Sequence, residues 1–258
     1  MRQVIAASRF RSEGSEHLHD MSLTSARPAD LPAWAWLWFP PVMLLAELGT
    51  RLYDEPIYRR VWDSELGPLE NGTVVVLLPG IVAGLLALRH RSLLPARWLS
   101  GWILLFVLGS IYLGGEEASW GQHWFGWRTP EGMQALNDQQ ETNLHNMSSW
   151  LDQKPRFLLE MWVLFGGIVY PLWRGRGGDR STPDRWRYWF WPSPIVLPTA
   201  CLAILVNLPD RLNDWFGMPL PPPLDIRLSE TQEYYFALFL GLYLCSIFMR
   251  LRRLAHGG

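Results

Sequence analysis

Cysteine and lysine are both scarce in this 258-residue chain, and each scarcity limits what the protein can be. The only two cysteines, Cys201 and Cys245, lie far apart inside apolar runs and outside any C-x-x-C motif. A disulfide framework or a thiolate zinc site is therefore not predicted. Lys154 is the single lysine among 23 basic residues, a bias that favours a GC-rich bacterial genome. The formal net charge of −1 gives no basic surface for nucleic acid, so we predict no nucleic-acid partner.

Several sequence motifs of well-known enzymes are missing as well. The chain has no Gly-rich phosphate loop, no G-x-S-x-G elbow, no H-E-x-x-H pair and no C-x-x-C-H haem motif. It has no internal repeat, which gives no support to a transporter built from duplicated halves. Residues 1–30 are polar and lack the apolar stretch of a signal peptide, so we predict a disordered cytoplasmic tail there.

Apolar runs of nearly membrane-spanning length are abundant. Hydrophobic residues make up 49% of the chain. About 20 residues of α-helix cross the roughly 30 Å of hydrocarbon in a bilayer, and the runs near that length are 31–49, 73–88, 97–115, 157–173, 189–208 and 234–249. The sequence therefore predicts an all-α polytopic membrane protein with about six transmembrane helices. Residues 31–250 would form a single transmembrane domain between tails at 1–30 and 251–258.

Arginines are distributed unevenly among the loops that separate these runs. Most of the basic residues lie in four segments, which are 1–30, 89–97, 174–187 and 250–253. The positive-inside rule then places both termini in the cytoplasm and the loops 50–72, 116–156 and 209–233 on the outside. We predict a multi-pass protein of the bacterial inner membrane whose partners include membrane lipids.

The most unusual stretch is 114–146, which is polar although apolar runs flank it. It holds the adjacent carboxylates Glu116 and Glu117, and Glu141 with His145 four residues later. Polar groups concentrated at one level of a membrane protein cost free energy unless they pair or bind a ligand, so they form a functional hypothesis by default. Carboxylates at the C-terminal end of a helix also face the negative end of its dipole. A metal ion, an arginine or a proton must compensate them.

A second helix is predicted within this stretch. Thr129 is a suitable N-cap, and the Pro130 that follows suits the first helical position. Glu141 and His145 would then lie four residues apart on one flank of the helix, where they could offer an oxygen and a nitrogen to a single metal. We predict that this helix lies at the outer interface or re-enters the membrane.

Two further carboxylates, Glu230 and Glu233, open the last apolar run. They suit the first turn of a helix, whose dipole favours acidic side chains there. They can equally complete a carboxylate cluster with the glutamates of the polar stretch. Arg227 or Arg128 could neutralise such a cluster in place of a metal ion.

These patterns predict one outward-facing site. Its candidate catalytic residues are Glu116, Glu117, Glu141 and His145. Its candidate metal ligands are Glu116, Glu117, Glu141, His145, Glu230 and Glu233. A set rich in oxygen, with one imidazole and no thiolate, suits iron, manganese, magnesium or calcium better than a cysteine-type zinc site, and it leaves the identity of the divalent metal open.

Two segments carry a resemblance to known proteins. E-E-A-S-W-G-Q at 116–122 and T-P-E through N-D-Q-Q-E-T-N-L-H-N at 129–146 resemble a family of uncharacterised bacterial multi-spanning membrane proteins. The resemblance implies a membrane protein and brings no assigned activity. Ser119-x-x-x-His123 is also similar to a short motif of the membrane hydrolases that include alkaline ceramidases and progestin/adiponectin-type receptors, although their late H-x-x-x-H pair is absent here.

Three functions are compatible with the sequence. The first is a metal-dependent membrane enzyme that acts on a lipid or another membrane-soluble substrate. The second is a proton- or cation-coupled transporter or channel, which would place its carboxylates nearer the midplane of the membrane. The third is a non-catalytic subunit whose polar stretch docks a membrane-protein partner or a second copy of the chain.

Overall fold

The structure, a computed structural model, describes residues 30–64, 67–134, 142–143, 149–177 and 182–256. All regular structure in these ranges is helical, which confirms the predicted all-α fold class. The helices long and apolar enough to cross a membrane are Pro68–Arg89, Trp98–Glu117, Gln153–Gly175, Trp186–Phe216 and Leu228–His256. The protein is therefore an integral, multi-pass membrane protein.

The α-helices, numbered in chain order, are α1 Phe39–Tyr53, α2 Glu55–Val61, α3 Pro68–Arg89, α4 Trp98–Glu117, α5 Gln122–Phe125, α6 Glu131–Gln134, α7 Ser149–Trp162, α8 Tyr170–Gly177, α9 Trp186–Phe190, α10 Leu197–Leu205, α11 Leu208–Phe216 and α12 Leu228–His256. Two π-helical turns are inserted, Trp34–Trp38 before α1 and Val163–Val169 between α7 and α8. Each joins its neighbours without a break, so α7 and α8 belong to one span.

The predicted run 31–49 differs from the other five. It forms the π-helical turn and most of α1, and it is not among the five apolar spans of the described residues. Pro40, Pro41 and Glu47 interrupt the hydrophobic residues of this segment. The structure thus shows five candidate spans where the sequence predicts about six. Of the predicted interfacial helix, the described residues include α6 and residues 142–143. Residues 142–143 are not helical, so the single continuous helix predicted through this stretch is wrong at that point.

The last helix, α12, is the centre of the bundle. About 83% of its apolar stretch is buried inside the protein, whereas the corresponding part of α4 is only 28% buried. Helices α3, α4 and α10 pack against it. A helix that is apolar on every side belongs in a core or in lipid, and α12 is surrounded by protein along 234–244.

Close packing of α3 against α12 depends on two glycines. A Cβ atom added to Gly80 would lie 2.6 Å from the Cα of Gly241, and one added to Gly241 would lie 2.6 Å from the carbonyl oxygen of Val76. The two backbones therefore touch without intervening side chains. Small residues permit this approach between membrane helices, where packing replaces the hydrophobic effect as the main attraction.

A buried arginine near the C-terminal end of α12, Arg250, links this helix to α9 and to the first described residue, Asp30. The guanidinium of Arg250 stacks over the ring of Tyr188 at 4.9 Å and donates hydrogen bonds to the carbonyl oxygens of Tyr188 and Ser246. Its Nε lies 3.7 Å from a carboxylate oxygen of Asp30, which also accepts a hydrogen bond from the Ser246 hydroxyl. The start of the described chain is thereby held against the last helix.

We expect Arg250→Lys to lower the free energy of unfolding by about 1–2 kcal/mol, because an ammonium keeps the charge but cannot reproduce the planar fork and its stacking. Thermal unfolding of the detergent-purified protein measures the change. Arg252→Lys is the matched control, since Arg252 lies on the same helix and is exposed. Equal losses in the two variants would contradict the structural role of Arg250.

Candidate functional site

Three of the predicted metal ligands come together at one end of the bundle. One carboxylate oxygen from each of Glu117, Glu230 and Glu233 lies within 4.8 Å of the other two, and all three residues are half-buried. We call these residues the carboxylate cluster. The spacing is close enough for the three oxygens to contact one cation, whose bonds to carboxylate oxygens are roughly 2.0–2.6 Å long.

The positions of the cluster residues follow from the helices that carry them. Glu117 is the last residue of α4, while Glu230 and Glu233 occupy the first turns of α12, three residues apart and on one face. The dipole of α12 favours acidic groups at its start, but the dipole of α4 disfavours one at its end. Glu117 is therefore the member that most needs a compensating positive charge.

Two arginines supply part of that charge. Arg156 donates from Nη1 to Glu233 Oε1 at 2.6 Å and to Ser229 Oγ at 3.0 Å, and from Nη2 to Gln232 Oε1 at 2.8 Å. These three bonds fix the guanidinium against the first turns of α12. Arg156 was not among the residues singled out from the sequence.

Arg227, which the sequence offered as an alternative to a metal, is the second arginine. Its Nη2 lies 3.4 Å from Glu230 Oε1, and its Nη1 donates to Glu70 Oε1 at 3.1 Å. Burial alone would lower the pKa of Arg227, but the carboxylates of Glu230, Glu70 and Asp63 outweigh it and hold that pKa above its usual value. Arg227 thus stays charged and is shared between the cluster and its neighbours.

Among the described residues, two guanidinium groups form ion pairs with the cluster, and one of them, Arg227, also pairs with Glu70 and Asp63. Like charges at the separation of the three carboxylates repel in a partly desolvated site, so a bound cation or a proton would stabilise the cluster.

Glu116, the neighbour of Glu117 on α4, has a different hydrogen-bond partner from the cluster residues. Its side chain is buried, with 3% of the residue exposed, and Oε1 accepts a hydrogen bond from Trp120 Nε1 at 2.7 Å. Successive residues of an α-helix are rotated by about 100° around its axis, so Glu116 and Glu117 face different neighbours. Glu116 is not among the three described carboxylates whose oxygens lie within 4.8 Å of one another, and its role as a metal ligand stays a prediction.

A left-handed turn directly follows α4. Ser119 and Trp120 have φ values of 44° and 52°, which are uncommon for residues other than glycine, and Gly121 continues the turn at 96°. Two such residues in succession cost free energy and are characteristic of functional or tightly constrained positions. The turn ends α4 at Glu117 and brings the Trp120 indole back to Glu116.

Polar contacts surround this turn. Ser119 Oγ lies 3.0 Å from His123 Nε2 and accepts a hydrogen bond from Asn143 Nδ2 at 3.3 Å. Ser119 is fully buried and His123 is half-buried, and the contact between them stabilises the turn. The side chain of Gln122 accepts a hydrogen bond from the Thr142 amide at 2.6 Å, which holds residues 142–143 beside the turn.

Two of the predicted catalytic residues, Glu141 and His145, lie outside the described residues. Their neighbours 142–143 are held next to the turn that follows Glu117. Their roles as catalytic groups and metal ligands stay predictions.

An apolar groove leads away from the carboxylate cluster. It has a volume of about 660 Å³ and runs between α4, residues 155–165 and α12. Charged residues line only one end of it, namely Glu116, Glu117, Arg156 and Glu233. The remainder is walled by aliphatic and aromatic side chains, and the aromatic ones are Trp102, Phe106, Tyr112, Trp162, Phe165, Trp191 and Phe236.

Comparison of the chain with models of protein families, with curated proteins and with solved structures gives no match. The assignment of a function therefore rests on the geometry of the cluster and the groove.

Carboxylate oxygens without thiolate ligands suit hard cations, and the three described ligands include no imidazole. Magnesium, calcium and manganese fit this donor set better than zinc. The arrangement can hold a cation, polarise an oxygen bound to it and present both to the polar end of the groove.

Proposed function

We propose that the protein is a metal-dependent membrane enzyme that acts on a lipid or another membrane-soluble substrate. The observation that carries this proposal is the position of the carboxylate cluster at the charged end of an otherwise apolar groove. Ligand sites in proteins are concave, mostly apolar and roughly 300–1,000 Å³ in volume, with a few convergent polar groups. The groove has each of these properties.

Glu117, Glu230 and Glu233 would hold the cation. A bound divalent cation can act as a Lewis acid on a carbonyl or phosphoryl oxygen, or lower the pKa of a bound water. Arg156 keeps Glu233 oriented, and the dipole at the start of α12 supports Glu230. Glu141 and His145, on either side of the anchored residues 142–143, are the proposed catalytic groups that complete the site.

A transport pathway is less well supported. The cluster lies where α4 ends and α12 begins, whereas transporters usually bind their coupling ions near the midplane. Among the residues that line the groove, the charged ones are confined to one end. An ion that entered the groove would meet only apolar and aromatic walls beyond that end, at a high cost in desolvation.

The distribution of arginines supports an orientation for the site. Arg250, Arg253 and residues 182–185 lie at the end of the bundle opposite the cluster. The positive-inside rule assigns that end to the cytoplasm. The proposed enzyme would then sit in the bacterial inner membrane, with its cluster open to the outer leaflet and with both termini cytoplasmic.

Metal analysis of the protein purified in mild detergent tests the proposal. The wild-type protein is expected to carry a stoichiometric amount of one divalent metal. Glu117→Gln and Glu233→Gln should each lose most of it, because each removes one of the negative charges on which the affinity for a divalent cation depends. Glu131→Gln is the control, since Glu131 is an exposed acid on α6.

A folded wild-type protein that binds no divalent metal when metals are supplied would overturn the proposal. So would metal contents in Glu117→Gln and Glu233→Gln equal to that of the control. Intrinsic tryptophan fluorescence establishes that each variant is folded before its metal is measured.

A further inference from the structure

We infer that a basic pocket between the starts of α4 and α9 binds the headgroup of an anionic phospholipid. The pocket has a volume of about 410 Å³ and is lined by Pro95, Ala96 and residues 184–187. Helix α4 begins directly after the first two of these residues and ends at Glu117 in the carboxylate cluster. The basic pocket therefore lies at the opposite end of the bundle from the proposed catalytic site, and the two sites are independent.

The basic pocket lies at the level where a membrane protein meets lipid headgroups. Trp98 and Trp186 are the first residues of two helices long and apolar enough to cross a membrane. Their rings contact each other, with centroids 5.8 Å apart, and the two residues are 48% and 42% exposed. Exposed tryptophans at the ends of spans are typical of the membrane–water interface. This position favours a lipid headgroup over a soluble protein as the occupant.

Basic residues predominate in the two loops that line the pocket. The loops 89–97 and 174–187 contain eight arginines and two aspartates, with no lysine or glutamate. Arg185, Arg187 and Asp184 are the charged residues in contact with the pocket itself. Basic pockets between membrane-spanning helices are typical binding sites for anionic lipid headgroups. The charge of the loops is therefore complementary to a phosphodiester.

The two arginines of the pocket are available to a ligand. Both are exposed, and neither forms an ion pair with a carboxylate of the described residues. The Cζ atom of Arg187 lies 5.5 Å from the centroid of the Trp186 ring, a contact that helps to orient its guanidinium. A hydrogen bond with the Thr182 side chain lowers the pKa of Asp184, so this carboxylate stays ionised. The pocket thus has two guanidinium groups for a phosphate and one opposing carboxylate.

Helix α4 offers an apolar surface to the chains of a lipid held at its start. Only 28% of its apolar stretch is buried inside the protein. Leu104, Leu108 and Ile111 are exposed and follow one another at intervals of four and three residues, so they share one face of the helix. They do not line the apolar groove. A lipid can therefore place its phosphate in the pocket and its chains along this face, which a free phosphate cannot do.

Native mass spectrometry of the full-length protein in mild detergent tests the inference. Phosphatidylglycerol should bind about tenfold more tightly than phosphatidylcholine with the same acyl chains. Arg185→Gln/Arg187→Gln should reduce the affinity for phosphatidylglycerol by about tenfold, because each arginine near an anionic lipid contributes to its binding. The affinity for phosphatidylcholine should change little. Each single substitution should cause about a threefold loss, and the single variants replace the double variant if it does not fold.

Arg60→Gln/Arg128→Gln is the matched control. It removes the same charge from two exposed arginines outside the two loops, and it should leave the affinity for phosphatidylglycerol unchanged. A lipid bound in the apolar groove would contribute equally to all variants, so the difference between the two double variants reports on the basic pocket alone. Equal affinities of these variants for phosphatidylglycerol would overturn the inference, as would equal affinities of the wild-type protein for the two lipids.

Competition with glycerol 3-phosphate distinguishes a lipid from a free phosphate. This soluble phosphate lacks acyl chains and should not displace phosphatidylglycerol at an equal concentration. Displacement would overturn the assignment of the pocket to a lipid. Metal content does not enter these measurements, so loss of the lipid preference leaves the proposed metal site standing, and a metal-free protein that keeps the preference refutes only the proposed function.

Discussion

A Gly241→Leu variant is expected to yield little folded protein. The Cβ atom of any side chain at Gly241 would lie 2.6 Å from the carbonyl oxygen of Val76, so relief requires α3 and α12 to move apart. Overpacking costs about 1–3 kcal/mol when side chains can adjust. Here backbone meets backbone, and separating two packed helices should consume most of the roughly 5–15 kcal/mol by which proteins are stable.

Gly101→Leu is the appropriate control for this experiment, because the same substitution on α4 meets no atom within 4 Å of its Cβ. Size-exclusion chromatography in detergent, followed by thermal unfolding, compares the two variants. A Gly241→Leu protein that elutes as a single species with the unfolding temperature of the Gly101→Leu protein would show that α3 and α12 are not in backbone contact.

Arg156→Met is expected to destabilise the metal-free protein by about 3 kcal/mol. The substitution removes the arginine partner of Glu233 and, among the described residues, leaves Arg227 as the guanidinium beside the three carboxylates. Breaking a buried pair from one side costs about 3–5 kcal/mol, and the lower value applies because both side chains remain about a quarter exposed, at 25% and 22%. Chemical unfolding in the presence of a chelator measures the loss.

Two further measurements distinguish a charge effect from lost packing. The double variant Arg156→Met/Glu233→Gln should recover much of the lost stability, because the excess charge is removed together with the arginine. A divalent cation should stabilise Arg156→Met more than it stabilises the wild-type protein, since it replaces the missing positive charge. If neither change restores stability, Arg156 acts through packing and its hydrogen bonds to Ser229 and Gln232.

The membrane architecture could be predicted because it depends on local composition. Five of the six apolar runs coincide with spans, since a run of such length has no other way to satisfy its backbone within lipid. The run 31–49 is the exception, and it contains Glu47 and two adjacent prolines. The closeness of Glu117 to Glu230 and Glu233 could be anticipated because all three lie at run ends on one predicted side.

The choice between Glu116 and Glu117 could not be predicted. Helix α4 is apolar on all sides, so no stripe of hydrophobic residues indicates which face meets α12. The left-handed turn at Ser119 and Trp120 could not be predicted either, because neither position is a glycine, the residue that usually indicates a positive φ. Which carboxylate joins the cluster is decided by packing and by the bond from Trp120, which engages Glu116.

Arg156 and the groove escaped prediction for a related reason. The arginine stands before an apolar run, as many interfacial arginines do, and its partners lie more than seventy positions away in the sequence. The groove is a space between α4, residues 155–165 and α12, so it exists only in the packed structure. The sequence around Gly109 alone does not indicate that this residue lines a groove. Neither feature has a local pattern.

The central position of α12 has a consequence for biosynthesis. Chains are made from the N-terminus, so every other span leaves the ribosome before the helix that fills their centre exists. During that interval Arg156 and Glu117 have no Glu233 beside them, and the glycine surface at Gly80 has no partner helix. Insertion of the spans and folding of the protein are thus separate events in time, and an assembly completed so late offers membrane quality control a long window in which to act.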